Sequence, residues 1–226
     1  AYRVLDACNM LGYLFASLLL PMFARLQKKP DLVKPLLSLS FRLIWAGSVA
    51  LAMAICFARE DLLHLMMPRQ ASPYRWDTLG VLIWAFVPVS TTYIFSTLLT
   101  AHGKVAMMNR FFIAGIGLNV ALNLLLIPYW QAFGSAIAAV ATQGFIAASM
   151  VGLALHTFQW RPGIRSIAQV IGYVLFILLI NILIVEKTSF IWYIKMALSA
   201  AACLPGLLLF KWVKWESIRQ LRRGVY

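Results

Sequence analysis

The sequence predicts an all-α, polytopic membrane protein with about seven transmembrane helices, and three observations lead to this fold class. Of the 226 residues, 62% are hydrophobic and 12% are charged, with a mean hydropathy of +0.84, which leaves too little polar surface for a water-soluble globule. Apolar runs of about 20 residues, enough to cross a hydrocarbon core of about 30 Å as a helix, recur along the chain. The runs are continuous and lack the two-residue alternation typical of a membrane β-barrel.

Each run is expected to form a helix, because a helix satisfies its own backbone hydrogen bonds in lipid. The predicted spans cover residues 4–25, 37–58, 79–101, 109–127, 134–156, 167–185 and 190–212.

The loop charges predict the orientation, because short cytoplasmic loops carry an excess of Lys and Arg. Alternate connections are basic, at Arg25, Lys28, Lys29 and Lys34, at Lys104 and Arg110, at Arg161 and Arg165, and in the tail at Lys211, Lys214, Arg219, Arg222 and Arg223. The connections between them are neutral or balanced. We therefore expect a multi-pass protein of the cell (inner) membrane, with the start of this chain outside and its C-terminus cytoplasmic. The net charge of +13 is interpreted as topology and attraction to anionic lipid, and no nucleic-acid partner is expected.

The chain opens at Ala1, on the predicted external side, with no initiator Met and no signal-peptide pattern. An odd number of preceding spans would explain this start, so we expect a missing front to the chain. Asp6 has Arg3 one turn away, which favours a local ion pair over a proton carrier. Cys8, Cys56 and Cys203 lack the spacing of a metal site, and no metal or other cofactor is expected.

The second and third spans contain the first candidate binding residues. Arg42 has two interpretations: its side chain extends to the membrane interface, or it faces a cavity and pairs with phosphate. The same two interpretations apply to Lys195, which lies in the last span. In the third span Pro88 predicts a kink, and a hydroxyl-rich face follows it. These hydroxyls either bond backbone carbonyls or line a cavity, and the candidates are Thr92, Tyr93, Ser96, Thr97 and Thr100.

The fourth and fifth spans are expected to form a tight antiparallel hairpin, because only residues 128–133 link them. Asn119 and Asn123 lie one turn apart and need partners near mid-membrane, for which Gln143 in the next span is a candidate. Gly134, Ala138 and Thr142 form a stripe of small residues that allows close approach. The amides are interpreted as helix-packing groups before substrate ligands.

Several short motifs carry a family resemblance. They are "GK" at 103–104, "LNVALNLLLIP" at 118–128, "FGSAIAAVAT" at 133–142, and "AYRVLDACN" at 1–9 followed by "LLLPMFARL" at 18–26. In this order they resemble the carboxy-terminal half of the polysaccharide flippases of the multidrug/oligosaccharidyl-lipid/polysaccharide exporter superfamily. Ser135 departs from the Ala that is usual there.

The resemblance implies fourteen helices, in two lobes of six and a terminal pair. Residues 1–156 would form most of the C-terminal transport lobe, 157–213 the terminal pair and 214–226 a basic cytoplasmic tail, with the N-terminal lobe missing. The implied function is translocation of a polyprenyl-pyrophosphate-linked oligosaccharide for O-antigen or a related surface polysaccharide. Arg42 could hold the pyrophosphate and the hydroxyl-rich face could contact sugar.

Two alternatives stay open. A multidrug or other small-molecule exporter of the same superfamily would have the same topology and would need a carboxylate near the membrane midplane. A membrane enzyme or polymerase of polysaccharide assembly would use the external segment 59–78, which offers His64, Arg69, Arg75 and Asp77. No hydrolase, zinc-protease or Walker motif occurs in the sequence, so a non-enzymatic role is favoured, and segment 59–78 is expected to rest on the membrane through Leu62, Leu63, Leu65 and Met66.

Overall fold

The computed structural model describes residues 2–26, 30–69, 72–160, 163–187, 192–201 and 205–206, and all regular structure within them is helical. The helices are α1 (Tyr2–Leu26), α2 (Pro30–Phe57), α3 (Arg59–Met66), α4 (Pro73–Leu82), a 3-10 turn (Ile83–Ala85), α5 (Phe86–Ala101), α6 (Val105–Phe158), α7 (Ile164–Lys187) and α8 (Trp192–Ala201). Among the described residues, four stretches are long and apolar enough to cross a membrane: Tyr2–Leu26, Leu32–Phe57, Pro73–Ala101 and Val105–Phe158. By length and hydropathy the protein is therefore a multi-pass membrane protein.

The third predicted span is longer than expected and is interrupted near its middle. It begins at Pro73, and the 3-10 turn Ile83–Ala85 separates α4 from α5. Pro88 explains this position, because its ring has no amide hydrogen and would collide with the carbonyl group of Trp84 four residues earlier. The predicted kink at Pro88 thus corresponds to a change from α-helical to 3-10 hydrogen bonding just before the proline.

The fourth and fifth predicted spans are the two helical arms of α6, which meet at one residue with a non-helical backbone conformation. Gln131 has φ 48° and ψ −126°, and the chain reverses there. Across the two arms, Asn119 bonds Thr142, and Gly115 faces Ile146. The predicted antiparallel hairpin is therefore present, but the expected loop at 128–133 is wrong, since helix continues through Pro128 to the turn.

The last two predicted spans correspond to α7 and to α8 as far as the chain is described. Helix α7 has 24 residues, with Ala168–Ile184 as its described apolar part, and the described residues of α8 are Trp192–Ala201. Both helices pack against α2, where Tyr173 of α7 donates a hydrogen bond to the carbonyl oxygen of Ala46 at 3.0 Å. Most of residues 202–226, with Cys203 and the basic tail, lie outside the described residues.

Two core clusters mark the two ends of the helix bundle. One joins Leu5, Leu63, Leu79 and Ala136 at the end that contains the α6 turn, which we call the hairpin-tip end. The other joins Leu26, Val33, Leu99, Met108 and Leu153 at the opposite end. Successive membrane helices from α1 to the second arm of α6 thus alternate in direction, as the loop charges predict. Which end is external stays a prediction.

The segment predicted as an external loop, 59–78, is mostly helical. Leu63 is buried, only 3% exposed, whereas Leu65 and Met66 are exposed. The expectation that all these apolar side chains rest on the membrane is wrong for Leu63, because α3 turns that side chain into the core beside Leu79.

Candidate functional site

Helix α1 carries a continuous polar face along much of its length. Tyr2, Asp6, Asn9, Tyr13 and Ser17 follow each other at intervals of three or four residues, so they share one side of the helix. Tyr13 is 61% exposed, Asp6 and Ser17 are exposed, and Asn9 is half-buried. Because polar side chains in a membrane span face water or protein and avoid lipid, this side of α1 is a candidate path or interface.

Polar side chains of α5 lie beside this face. The rings of Tyr13 and Tyr93 meet edge to face, with centroids 6.5 Å apart. A side chain at Gly12 would come within 2.9 Å of the Tyr93 ring, so glycine is what lets α1 and α5 approach there. Ser96 is half-buried and Thr100 is exposed on the same side of α5. We call the combined set the α1–α5 polar face (Asp6, Asn9, Tyr13, Ser17, Tyr93, Ser96 and Thr100).

The hydroxyl groups predicted to line a cavity differ in their partners. Ser96 and Thr97 both donate to the carbonyl oxygen of Tyr93, and Thr97 is buried, which fits the backbone-bonding alternative for these two residues. Thr100 contacts Met108 of α6 at 3.8 Å between Oγ1 and Sδ. The buried hydroxyl oxygens of Thr92 and of Ser90 have no hydrogen-bond partner among the described residues. Within a membrane span such hydroxyls are costly unless water or substrate reaches them.

Arg42 is separated from these hydroxyls by α2 itself. Leu36 and Ile44 of α2 pack in the cluster that includes Phe95 and Leu98 of α5. Arg42 lies one turn before Ala46, on the side of α2 that packs on α7. It is half-buried and makes no hydrogen bond or ion pair within the described part of the chain. The structure therefore does not bring Arg42 together with the α5 hydroxyls.

Lys195, the second candidate cation, lies elsewhere again. It is half-buried on α8, which packs against α2. The two cations are thus carried by neighbouring helices, away from the α1–α5 polar face.

The hairpin amides bond across and along α6, with one partner different from the expected one. Asn119 Nδ2 donates to Thr142 Oγ1 at 3.3 Å, and Asn123 Nδ2 donates to both Asn119 Oδ1 and the Asn119 carbonyl oxygen at 2.9 Å. Gln143 is half-buried and makes no such bond among the described residues. The packing role of the amides fits this geometry, but Gln143 as the partner is wrong, because the turn at Gln131 sets Thr142 opposite Asn119.

A cavity of about 880 Å³ lies at the hairpin-tip end, and we call it the tip cavity. The end of α2, α3, α4 and the turn of α6 form its walls, and among its lining residues are Arg59, Tyr74, Asp77, Trp84, Trp130 and Gln131. Arg59 and Asp77 form an ion pair at 3.1 Å. Tyr74 connects α4 to the turn, since its hydroxyl donates to the Trp130 carbonyl oxygen at 2.9 Å and accepts from the Phe133 amide at 3.0 Å.

Charged residues near the membrane ends do not all pair as predicted. Arg3 and Asp6 are both exposed, and among the described residues no ion pair joins them, so that expectation is wrong. Asp77, considered as a catalytic residue of segment 59–78, is instead paired with Arg59, and His64 faces the Trp76 ring with centroids 5.6 Å apart.

The α1 polar face and the tip cavity are features that sequence reasoning missed. The polar face of α1 could have been predicted from the sequence, because Asp6, Asn9, Tyr13 and Ser17 follow each other at helical spacing. For the tip cavity, the aromatic pairs Tyr129 with Trp130 and Tyr74 with Trp76 are typical of the ends of membrane spans, but only the fold shows that the two pairs lie close together.

No protein-family model matches the chain, and no curated protein matches it.

Proposed function

We propose that this chain is part of a membrane translocator that moves a polyprenyl-pyrophosphate-linked oligosaccharide from the cytoplasmic to the outer leaflet, for O-antigen or a related surface polysaccharide. The observation that supports this proposal most is the α1–α5 polar face. Its phenol and amide groups are neutral hydrogen-bonding groups, and the hydroxyl groups of Ser17 and Ser96, which donate to carbonyl groups of their own helices, can still accept; only Asp6, at one end, is charged. Such a surface suits the hydroxyl groups of a sugar headgroup in transit.

The α1–α5 polar face is long enough for a sugar headgroup, and the apolar residues beside it on α1 suit the polyprenyl chain of this substrate. Asp6 and Ser17 are eleven residues apart, which is about 16 Å along the helix, or about half of the hydrocarbon core. Beside them on α1, Met10, Leu14 and Leu18 are exposed. The headgroup would follow the polar residues while the polyprenyl chain stays against the apolar ones.

The protein's part in this process is to bind the headgroup at one side and release it at the other, with no covalent step. Transporters of this kind rock one lobe against another around the binding site. The exposed residues of the α1–α5 polar face, which are Asp6, Tyr13, Ser17 and Thr100, would meet water or a second lobe. The family resemblance implies such an N-terminal lobe, in the same or a separate chain.

Asp6 favours one second candidate, an exporter of small molecules from the same superfamily. A carboxylate on a membrane span can couple transport to a cation, and Asp6 is on the same face as Asn9 and Tyr13. It lies near the hairpin-tip end of α1, however, and not at mid-span. We therefore rank the exporter second, and the membrane enzyme third.

A double variant of the α1–α5 polar face tests the proposal. In cells that depend on the protein, we expect Tyr13→Leu with Ser17→Leu to lower surface polysaccharide several-fold at unchanged membrane abundance, because the headgroup loses its polar contacts. Lipid-linked oligosaccharide should accumulate. The matched control is Leu18→Ile, at an exposed apolar position of the same helix.

Two results would count against the role of this face. Normal surface polysaccharide in the double variant would remove Tyr13 and Ser17 from the route. A fall in polysaccharide that only follows a fall in protein abundance would assign both side chains to packing.

A further inference from the structure

The tip cavity has the size and access of a small-molecule site. Its 880 Å³ lies within the range of about 300–1,000 Å³ that is typical of ligand pockets. It is reached from the surface at the α6 turn, where Tyr129 is 83% exposed and Trp130 is 51% exposed.

Its aromatic residues give flat surfaces with polar edges. The cavity is lined by five aromatic residues: Tyr74, Trp84, Tyr129, Trp130 and Phe133. The Tyr74 hydroxyl both donates a hydrogen bond to the backbone of the α6 turn and accepts one from it. The face of an aromatic ring packs well against the C–H face of a sugar ring, while the phenol and indole edges can hydrogen-bond. The two bonds of Tyr74 hold this aromatic wall in place before a ligand arrives.

The charged groups of the tip cavity favour a neutral ligand. Arg59 is paired with Asp77 at 3.1 Å, so the pair offers donors and acceptors without net charge. Gly80 leaves room for the Arg59 side chain in this position, because a Cβ there would lie 2.7 Å from Nη1 of Arg59. A phosphate would have to compete with Asp77 for Arg59, whereas the vicinal hydroxyls of a sugar can bond both partners.

Gln131 adds an amide to the cavity at a cost in backbone strain. Its φ of 48° and ψ of −126° belong to a region that glycine enters freely and other residues rarely do. Such conformations cost about 1–3 kcal/mol and concentrate at functional sites. The turn would form more easily with glycine, whereas glutamine adds an amide donor and acceptor to the cavity lining.

From these four features we propose that the tip cavity binds neutral sugar rings of the transported headgroup, at one end of its route. This inference rests on the proposed function. The aromatic rings stack on the sugar, and the Arg59–Asp77 pair and Gln131 bond its hydroxyls.

Binding to the purified chain in phosphatidylcholine nanodiscs tests the inference without any transport step. The probes are a panel of neutral di- and trisaccharides of glucose, galactose, mannose and N-acetylhexosamines, with inorganic pyrophosphate as the anionic comparator. Binding is followed by tryptophan fluorescence, since Trp84 and Trp130 line the cavity, and by calorimetry. We expect saturable binding of at least one neutral saccharide and none of pyrophosphate.

Two variants assign the binding to the tip cavity. Tyr129→Leu should weaken it about tenfold or more, whereas Tyr193→Leu, an exposed tyrosine on α8, should not change it. Gln131→Gly should weaken binding while the unfolding temperature stays equal or rises, because the turn is relaxed.

No binding by any saccharide of the panel, or equal binding by Tyr129→Leu and the parent chain, would overturn the inference. The aromatic residues would then be interfacial anchors. In that case the proposed function stands if loss of the protein still leaves the glycolipid on the cytoplasmic leaflet. Conversely, saccharide binding with unchanged glycolipid sidedness would remove the transport role and keep the tip cavity as a sugar site.

Discussion

At the scale of single residues, helical spacing predicts which side chains share a face, but it does not predict their partners. Asn119 and Asn123 were expected on one face and do bond each other, yet the interhelical acceptor is Thr142 and not its neighbour Gln143. If the turn were shifted by one residue along the chain, Gln143 would lie opposite Asn119 in place of Thr142. The residue that makes the turn, Gln131, has no sequence signature of a tight reversal, because glycine or asparagine is usual where φ is positive.

Arg42 carries a prediction at this scale. We expect Arg42→Gln to leave surface polysaccharide and membrane abundance unchanged, because Arg42 is on the α7 side of α2, away from the α1–α5 polar face, and its long side chain can reach the interface. The measurement is surface polysaccharide per membrane-inserted protein. Arg110→Gln, at an exposed arginine near the start of α6, is the control. Lost polysaccharide in Arg42→Gln alone would instead make Arg42 the ligand of the pyrophosphate.

At the scale of helices, hydropathy and proline positions predict most elements, and packing decides the rest. Pro88 predicts the interruption between α4 and α5, because its effect is local. Pro128 was expected to end a helix, but the first arm of α6 continues past it to Trp130. The close contact of the two arms, where Leu126 meets Gly134, favours helix up to the turn. Such a contact between residues on different arms cannot be derived from local propensity.

The α6 hairpin gives a prediction with a matched pair of glycines. A Cβ at Gly134 would lie 2.6 Å from the Leu126 carbonyl oxygen, whereas a Cβ at Gly144 would meet nothing within 4 Å. We expect Gly134→Ala to destabilise the protein by about 1–3 kcal/mol through overpacking, and Gly144→Ala to be neutral or stabilising. Thermal unfolding of both variants in detergent measures the difference. Equal unfolding temperatures would mean that the arms are not in close contact.

At the scale of the whole molecule, composition predicts a membrane protein and the loop charges predict alternating helices, and both follow from averages over many residues. The tip cavity could not be predicted in this way, because its lining extends from Cys56 to Val140 and is assembled by four separate helices. For the α1–α5 polar face, the α5 residues were predicted as candidates. Of its α1 residues only Asp6 was considered, as a partner in a local ion pair or as a proton carrier. Both features become visible when helices that are distant in sequence lie side by side.

The sidedness of the lipid-linked oligosaccharide tests the central claim most directly. Cells with and without the protein would be converted to spheroplasts and to inverted vesicles, and the glycolipid exposed to periodate, which does not cross the membrane and cleaves vicinal diols of accessible sugars. We expect the glycolipid to be oxidised in spheroplasts that contain the protein, and protected in spheroplasts that lack it but oxidised in the inverted vesicles. Equal oxidation in spheroplasts with and without the protein would contradict a role in translocation.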